Sequence, residues 1–327
     1  MIKRLRQQSL KYLGIWSLIV GAIVVLLLFS YDADRVARPV RIGFLNIAAS
    51  LPLFIAEENG FFADEGIDIQ TYPIATSNQL VDGILANNLD IFVESSAVPV
   101  LAAALRLPGA LKIFAVSSIT RDKPFDTILV RSDALIDDLE DLEGANIGVF
   151  PGSTSTNLLR KFLEDSGIDV DDINFVPVPP QTQMAALLQG SISAVHAYEP
   201  TTAIALLTGE ARVLHGSVYA EMLEPNPQGV AVVSSRFAAD SPGLAASAIR
   251  ALERAMDFMT ENDSESRAIL SSRLNLSEAA AGQMIFLYMI GHEEFSTATL
   301  QSYADMLAEL GELPENLNVA ELIYARN

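Results

Sequence analysis

The chain has 327 residues, 50% of them hydrophobic and 19% charged, with no cysteine. That is room for one large domain or two ordinary ones with a real core, and it is too apolar for extended disorder. Its 41 acidic and 21 basic side chains leave a formal charge of −20, without the basic footprint of a nucleic-acid binder, and zero cysteine excludes disulfides, iron–sulfur clusters, cysteine-ligated zinc, a thiol nucleophile and a lipidated N-terminal cysteine.

At the N-terminus, Lys3, Arg4, Arg6 and Lys11 precede an uncharged apolar run, Leu13–Ser30. Such a pattern is a secretory signal or a membrane-spanning helix. The run is at the short end of the ~17–25 residues of a span and longer than the ~7–15 of a signal core. Tyr31 to Val36 offer no small-x-small cleavage site. An uncleaved signal anchor is therefore expected, with a removed signal as the alternative. The basic flank places the body on the outer side of the membrane, although Arg35, Arg38 and Arg41 beyond the run weaken that orientation.

From Val40 short β-rich runs alternate with helical ones, the pattern of an α/β fold with mainly parallel strands. Strands are expected at Arg41–Ile47, Ile67–Ile74, Leu89–Glu94 and Leu111–Ile119, with helices over Leu51–Asn59 and Gln79–Ala86. Ser95 or Ser96 would cap a further helix with Pro99 in its first turn. The chain leaves this unit through Thr120–Pro124. A second unit follows, with strands Asp126–Ser132, Asn146–Phe150, Asn174–Val178, Ala194–Tyr198 and Ala211–Gly216. Its helices are Thr156–Asp165, after a Pro151–Ser155 loop, and Gln181–Gln189. Gly229–Phe237 reads as the strand that returns to the first unit. Helical stretches Leu244–Met259, Glu278–Ile290 and Thr297–Leu310 complete the chain. The segments Ile84–Ala97 and Leu187–Pro200 echo one another: helix end, apolar strand, polar residues, next helix. The expected division is a signal anchor and linker over 1–39, one lobe from 40–124 plus 232–327, and a second lobe over 125–231.

No nucleotide-binding glycine fingerprint, H-E-x-x-H or G-x-S-x-G occurs, so neither a cofactor nor a metal is expected. His196, His215 and His292 lack ligand spacing. His292 with Glu293 and Glu294 reads as a solvated acidic face, and His196 as a structural histidine near a strand end.

What stands out is a set of hydroxyl- and glycine-rich turns at strand C-termini, where open α/β sheets bind ligands. They are Ala48–Leu51, Ser95–Ser96, Ser117–Thr120, Pro151–Ser155 and Tyr198–Pro200. Gly152, Ser153, Thr154 and Ser155 precede a helix whose free N–H groups and dipole favour an anion. Alternatively, Ser153 or Thr154 simply caps that helix. Glu199 also has two readings: a partner for its own helix start, or an acceptor for a ligand amine or ring N–H.

The stretch RIGFLNIAASLPLFIAEENGFFADEGIDI resembles the opening of the nitrate/sulfonate/taurine-type solute-binding proteins of ABC importers, a group that includes binding proteins for thiamine pyrimidine precursors. DLEGANIGVFPGSTSTNLLRKFLEDSGI and PPQTQMAALLQGSISAVHAYEP extend the resemblance from about Val40 to the C-terminus. It implies a two-lobed type II periplasmic-binding-protein fold closing on a ligand. It also implies a cleft lined by Ser50, Leu51, Ser95, Ser96, Ser153, Thr154, Ser155, Tyr198 and Glu199, to which the turns above add Ser118 and Gly152 as candidate ligand-binding residues. Ser193 stands where members often have an acid, the lipoprotein cysteine is absent, and Trp16 lies in the membrane run rather than the cleft.

The resemblance implies a non-enzymatic protein that delivers a small organic anion or zwitterion, sulfonate- or taurine-like, to ABC permease and ATPase subunits. It would be held at the membrane through its N-terminal helix. A thiamine-type pyrimidine is the alternative ligand, and a ligand-sensing ectodomain working with a separate partner is the alternative role. A pyrimidine-synthase-like enzyme is disfavoured, because that relative carries a cysteine-rich motif.

Overall fold

The computed structural model describes residues 38–291, 294–314 and 317–325. The apolar run Leu13–Ser30, His292 and Glu293, and the side chain of Ser153 lie outside the described residues. Among the described residues no helix is long and apolar enough to cross a membrane. Val40 onward forms one compact unit.

Its strands are β1 (Val40–Leu45), β2 (Ile69–Ile74), β3 (Ile91–Ser96), β4 (Leu111–Ile119), β5 (Asp126–Arg131), β6 (Asn146–Val149), β7 (Asn174–Pro177), β8 (Ala194–Tyr198), β9 (Ala211–Gly216), β10 (Asn226–Ser234) and β11 (Met289–Gly291). They build two sheets, in the orders β11-β4-β10-β3-β1-β2 and β7-β6-β8-β5-β9. In the first sheet β1, β2 and β3 are parallel, and β10 runs antiparallel between β3 and β4. In the second, β6, β7 and β8 are parallel, and β5 runs antiparallel between β8 and β9. The pairing is thus mixed rather than mainly parallel.

The reason lies in the two crossings. β4 delivers the chain to the C-terminal edge of its sheet, so β5 enters the second sheet there and runs away from that edge. Asp126 at its start faces Tyr198 at the end of β8, and Asn226 at the start of β10 faces Ile119 at the end of β4. Both crossings therefore join the C-terminal edges of the two sheets. An antiparallel neighbour needs no helical crossover, so the returning strand inserts directly.

Each sheet packs helices against its inner strands. The helices used below are α1 (Leu51–Glu58), α2 (Ser77–Leu85), α3 (Ala97–Arg106), α4 (Ser153–Asp165), α5 (Pro180–Leu188), α6 (Thr201–Thr208), α7 (Pro242–Glu261), α8 (Asp263–Leu274), α9 (Glu278–Gln283) and α10 (Thr297–Glu309). α1 starts with Pro52 in its first turn, where a missing N–H costs nothing. It buries Leu51, Leu53, Phe54, Ile55 and Ala56, each full apolar side chain contributing roughly 1.5–3 kcal/mol against exposure. Glycines in the inner strands make room for apolar side chains that precede β3 and β8. A Cβ on Gly43 of β1 would stand 2.5 Å from Leu89 Cδ1, and one on Gly148 of β6 would stand 2.6 Å from Ile192 Cδ1. The sequence echo is structural: α2–β3–α3 and α5–β8–α6 occupy matching places, β3 beside β1 and β8 beside β6.

The largest differences from expectation are at three elements, the other ends agreeing to within two residues. The strand expected at Gly229–Phe237 runs Asn226–Ser234, and Ser235–Asp240 turns helical, with Ser234 Oγ accepting from Phe237 N as the cap. The helix expected over Glu278–Ile290 stops at Gln283. Met284 to Ile290 is rich in aromatic and β-branched residues, which favour extended chain, and β11 pairs along the open edge of β4. α4 begins at Ser153, inside the expected loop, with Gly152 as its N-cap at φ 142.

Candidate functional site

At the end of β1, Ser50 Oγ donates to Leu45 O at 2.7 Å and Leu51 packs into the core. The Ser50 hydroxyl is thus spent on the turn. At the end of β3, Ser95 Oγ donates to the Ser96 carbonyl, and Ser96 N donates to Ser77 Oγ at 3.1 Å. Ser96 occupies the N-cap of α3 without a side-chain cap bond, so the expected serine cap is not formed. Ser118 is half-buried near the end of β4.

In the second sheet, β6 ends at Val149 and the chain turns through exposed Gly152 into α4. Thr154 does not cap α4: its Oγ1 donates to Glu312 Oε2 at 2.9 Å, and Asn157 Nδ2 donates to Glu312 Oε1. Ser155 Oγ turns back to the Phe150 carbonyl at 2.6 Å. At the end of β8, Tyr198 shares a 2.6 Å hydrogen bond with Tyr219 OH and meets Phe150 edge-on. Burial pushes the Tyr198 and Tyr219 phenols up, so both remain neutral donors.

Glu199 follows Tyr198 and is 6% exposed. Its Oε2 accepts from Ala203 N at 3.1 Å, in the first turn of α6, and its Oε1 accepts from Ile285 N at 3.3 Å. The helix-start reading thus describes Glu199, and a second donor arrives from the segment that leads into β11. Burial raises its pKa to about 7, against the lowering effect of those two N–H groups and of the Arg267 charge. His196 is fully buried, with Nε2 3.0 Å from Asp126 Oδ2, and Tyr219 N donates to the same oxygen at 3.2 Å.

The residues that sequence reasoning passed over are Glu94 and Gly229, and Ser117 entered it only as the first residue of a hydroxyl-rich turn. Glu94 sits near the C-terminal end of β3, with φ 59. Ser117 Oγ of β4 lies 2.9 and 3.2 Å from its two carboxyl oxygens. Burial raises the Glu94 pKa to about 8, and the Ser117 hydrogen bond offsets this only in part. A Cβ on Gly229 would collide with both side chains, so the glycine makes their room. The available signal was an acid directly after the apolar run Ile91–Val93, with no basic residue between Arg41 and Arg106 to pair with it in sequence. Among the described residues no group of histidine and acidic side chains is arranged to hold a metal.

Two α/β sheets joined edge to edge at their strand C-termini, with helix starts and hydroxyl turns from both along that seam, define the periplasmic-binding-protein class of fold. Within it, the chain belongs to the NMT1-like family, which matches residues 34–275. It is 26% identical over 273 residues to a putative aliphatic sulfonates-binding protein of Bacillus subtilis, a match covering 80% of this chain and 79% of the relative. Among solved structures, the periplasmic aliphatic sulphonate binding protein SsuA of Escherichia coli superposes with a TM-score of 0.74 at 19% identity, over 88% of this chain and 92% of that one. The desulfurization enzyme DSZB shares the fold with a TM-score of 0.67 at 19% identity, covering 87% of this chain and 96% of that one.

Proposed function

We propose that this protein is an extracytoplasmic solute-binding protein that captures a small organic anion or zwitterion of the sulfonate type and presents it to the permease and ATPase of an ABC importer. The observation that carries the reading is the seam between the two sheets. Glu199 at the end of β8 and Thr154 at the start of α4 both reach residues of the C-terminal chain, Ile285 and Glu312. The second sheet and the chain that completes the first thus meet where strand ends and helix starts lie. Helix starts hold an anion with backbone N–H groups and dipole alone, which suits an anionic head in a protein with few basic side chains. The sulfonate-binding relative supports the ligand class. DSZB shows that the fold also hosts an enzyme, but a chain without cysteine offers no thiol nucleophile.

Two lobes, 40–124 with 232–327 and 125–231, would close about the crossings, in the manner of hinge-bending binding proteins. Leu13–Ser30 would keep the body at the membrane. Calorimetry of the purified full chain with an alkanesulfonate should give saturable binding, and X-ray scattering should show a smaller radius of gyration at saturation. Absence of binding heat across a panel of alkanesulfonates overturns the reading.

A further inference from the structure

Among the described residues, Glu94 is the one buried acid near the seam whose carboxyl has no counter-charge and whose setting is built for it. Its φ of 59 lies in the left-handed region, which a residue with a long side chain seldom adopts and which is held only where the surrounding fold enforces it. Opposite it the β3–β10 register shifts between Val230 and Val232, so the ladder with β10 is irregular at this residue. Gly229 leaves the space that the carboxyl and Ser117 Oγ fill.

The hydrogen bonding of that carboxyl is incomplete. A carboxylate has about four acceptor sites, and the Ser117 hydroxyl, which the structure places on it, supplies a single hydrogen. The charged side chains on the neighbouring elements point to other tasks. Arg41 of β1 and Asp90 pair at the opposite end of β3, Lys112 of β4 donates to the Glu321 carbonyl, and Asp82 of α2 and Arg106 of α3 are exposed. Glu199, by contrast, has both oxygens occupied by backbone N–H groups, which leaves Glu94 as the better acceptor for a ligand.

We infer that Glu94 receives a protonated amine of the bound solute, so that the ligand is a zwitterion, an organic anion bearing an ammonium group, rather than a simple anion. This rests on the solute-binding reading above. An ammonium brings the missing positive charge together with three N–H donors. Free Glu94 carries a proton at neutral pH, because burial holds its pKa at about 8. The arriving cation favours the carboxylate, so that proton leaves on binding.

The test is calorimetry on the full chain at pH 7 with two matched pairs, taurine against ethanesulfonate and β-alanine against propionate, in two buffers of different ionisation heat. In the wild type, the amine-bearing member of one pair should bind at least tenfold tighter and release close to one proton. In Glu94→Gln, which keeps the shape and a hydrogen bond to Ser117, that preference should shrink roughly tenfold and the proton release should vanish, as expected for a lost charged partner. Should Glu94→Gln fold poorly, proton release that persists in Glu199→Gln, which lacks the other carboxyl raised by burial, assigns the proton to Glu94, and its loss there overturns the assignment. Equal affinity within each pair and no proton release would make Glu94 a tie between β3 and β4 while leaving anion binding intact. An amine preference seen only with the carboxylate pair would uphold Glu94 and overturn the sulfonate reading. No binding of any of the four overturns both.

Discussion

The backbone N–H of Ile285 donates to Glu199 Oε1 at 3.3 Å, while the other carboxyl oxygen takes the N–H of Ala203. One side chain thus holds the start of α6 and, at the same time, the chain that leads from α9 into β11. A buried carboxyl accepting from two separate elements couples their positions, and it loses one bond whenever they part.

The first prediction concerns that coupling. Glu199→Ala removes the tie to Ile285 and leaves the Glu312 link, through Thr154 and Asn157, in place. The ligand-free variant should then show a larger radius of gyration by X-ray scattering than the ligand-free wild type, and Glu199→Ala with Glu312→Ala a larger one still. Identical scattering from all three proteins would mean that the sheets are held by their crossings alone.

A second prediction concerns pH. Glu94 and Glu199 have folded-state pKa values raised from 4.5 to about 8 and about 7. Between 4.5 and those values the native state binds more protons than the unfolded chain. As far as these two groups are concerned, stability should therefore be greatest below pH 4.5, fall steadily as pH rises from there toward 7 and 8, and level off above. Each pH unit within a group's window removes up to about 1.4 kcal/mol. Glu94→Gln and Glu199→Gln should each flatten the decline, measured as urea midpoint against pH from 5 to 8.5. A midpoint that rises over this range in the wild type, and rises equally in the variants, contradicts the assignment.

Much of the fold was legible in the sequence. β4, β8 and β9 begin and end where the pattern placed them, because their apolar runs are bounded by glycine, proline or charged turns on both sides. What failed was β10, α9 and the Ser96 cap. Gly229 reads as a strand start in sequence, yet β10 begins three residues earlier, at Asn226, where the crossing returns beside Ile119; that is a tertiary constraint. Met284–Ile290 has enough apolar character to pass for helix, and only the open edge of β4 decides that it extends. The hydroxyl turns were visible, but not that Ser50, Ser155 and Thr154 spend their hydroxyls on Leu45, Phe150 and Glu312. Glu94 was hidden for a different reason. Its significance depends on Ser117 and Gly229, 23 residues onward and on a far later strand, and no spacing rule links them.

Gly229 provides a third prediction. Gly229→Ala alone places a methyl group against the Glu94 carboxyl and Ser117 Oγ, and overpacking of this kind typically costs about 1–3 kcal/mol. Gly43→Ala meets the ends of Leu89 and Leu80 at 2.5 and 2.7 Å, and these can shift, so it should cost less. If Glu94 is the obstacle at Gly229, Glu94→Ala should relieve much of the cost of Gly229→Ala, a coupling of roughly 1 kcal/mol or more in a double-mutant cycle read by urea unfolding. Strict additivity would place the clash elsewhere.

The last prediction lies at the crossings. Asp126, at the head of β5, is fully buried; its Oδ2 is shared by His196 Nε2 and Tyr219 N, and its carbonyl accepts from Ser217 N at 2.8 Å. Asn226, at the head of β10, donates through Nδ2 to the Tyr219 carbonyl at 3.0 Å. Tyr219 is thus gripped at its N–H by the first strand of one sheet and at its carbonyl by the returning strand of the other. Asp126→Ala leaves a buried imidazole and a buried N–H without their acceptor, which should cost about 3 kcal/mol or more. Asp126→Asn keeps one acceptor oxygen and should cost roughly half as much. Because Asn226→Ala acts on the same residue, its effect should be smaller in the Asp126→Ala background than in the wild type, by an amount outside the ~0.5 kcal/mol scatter of independent sites. Fully additive unfolding energies would show that the two crossings are secured separately rather than through Tyr219.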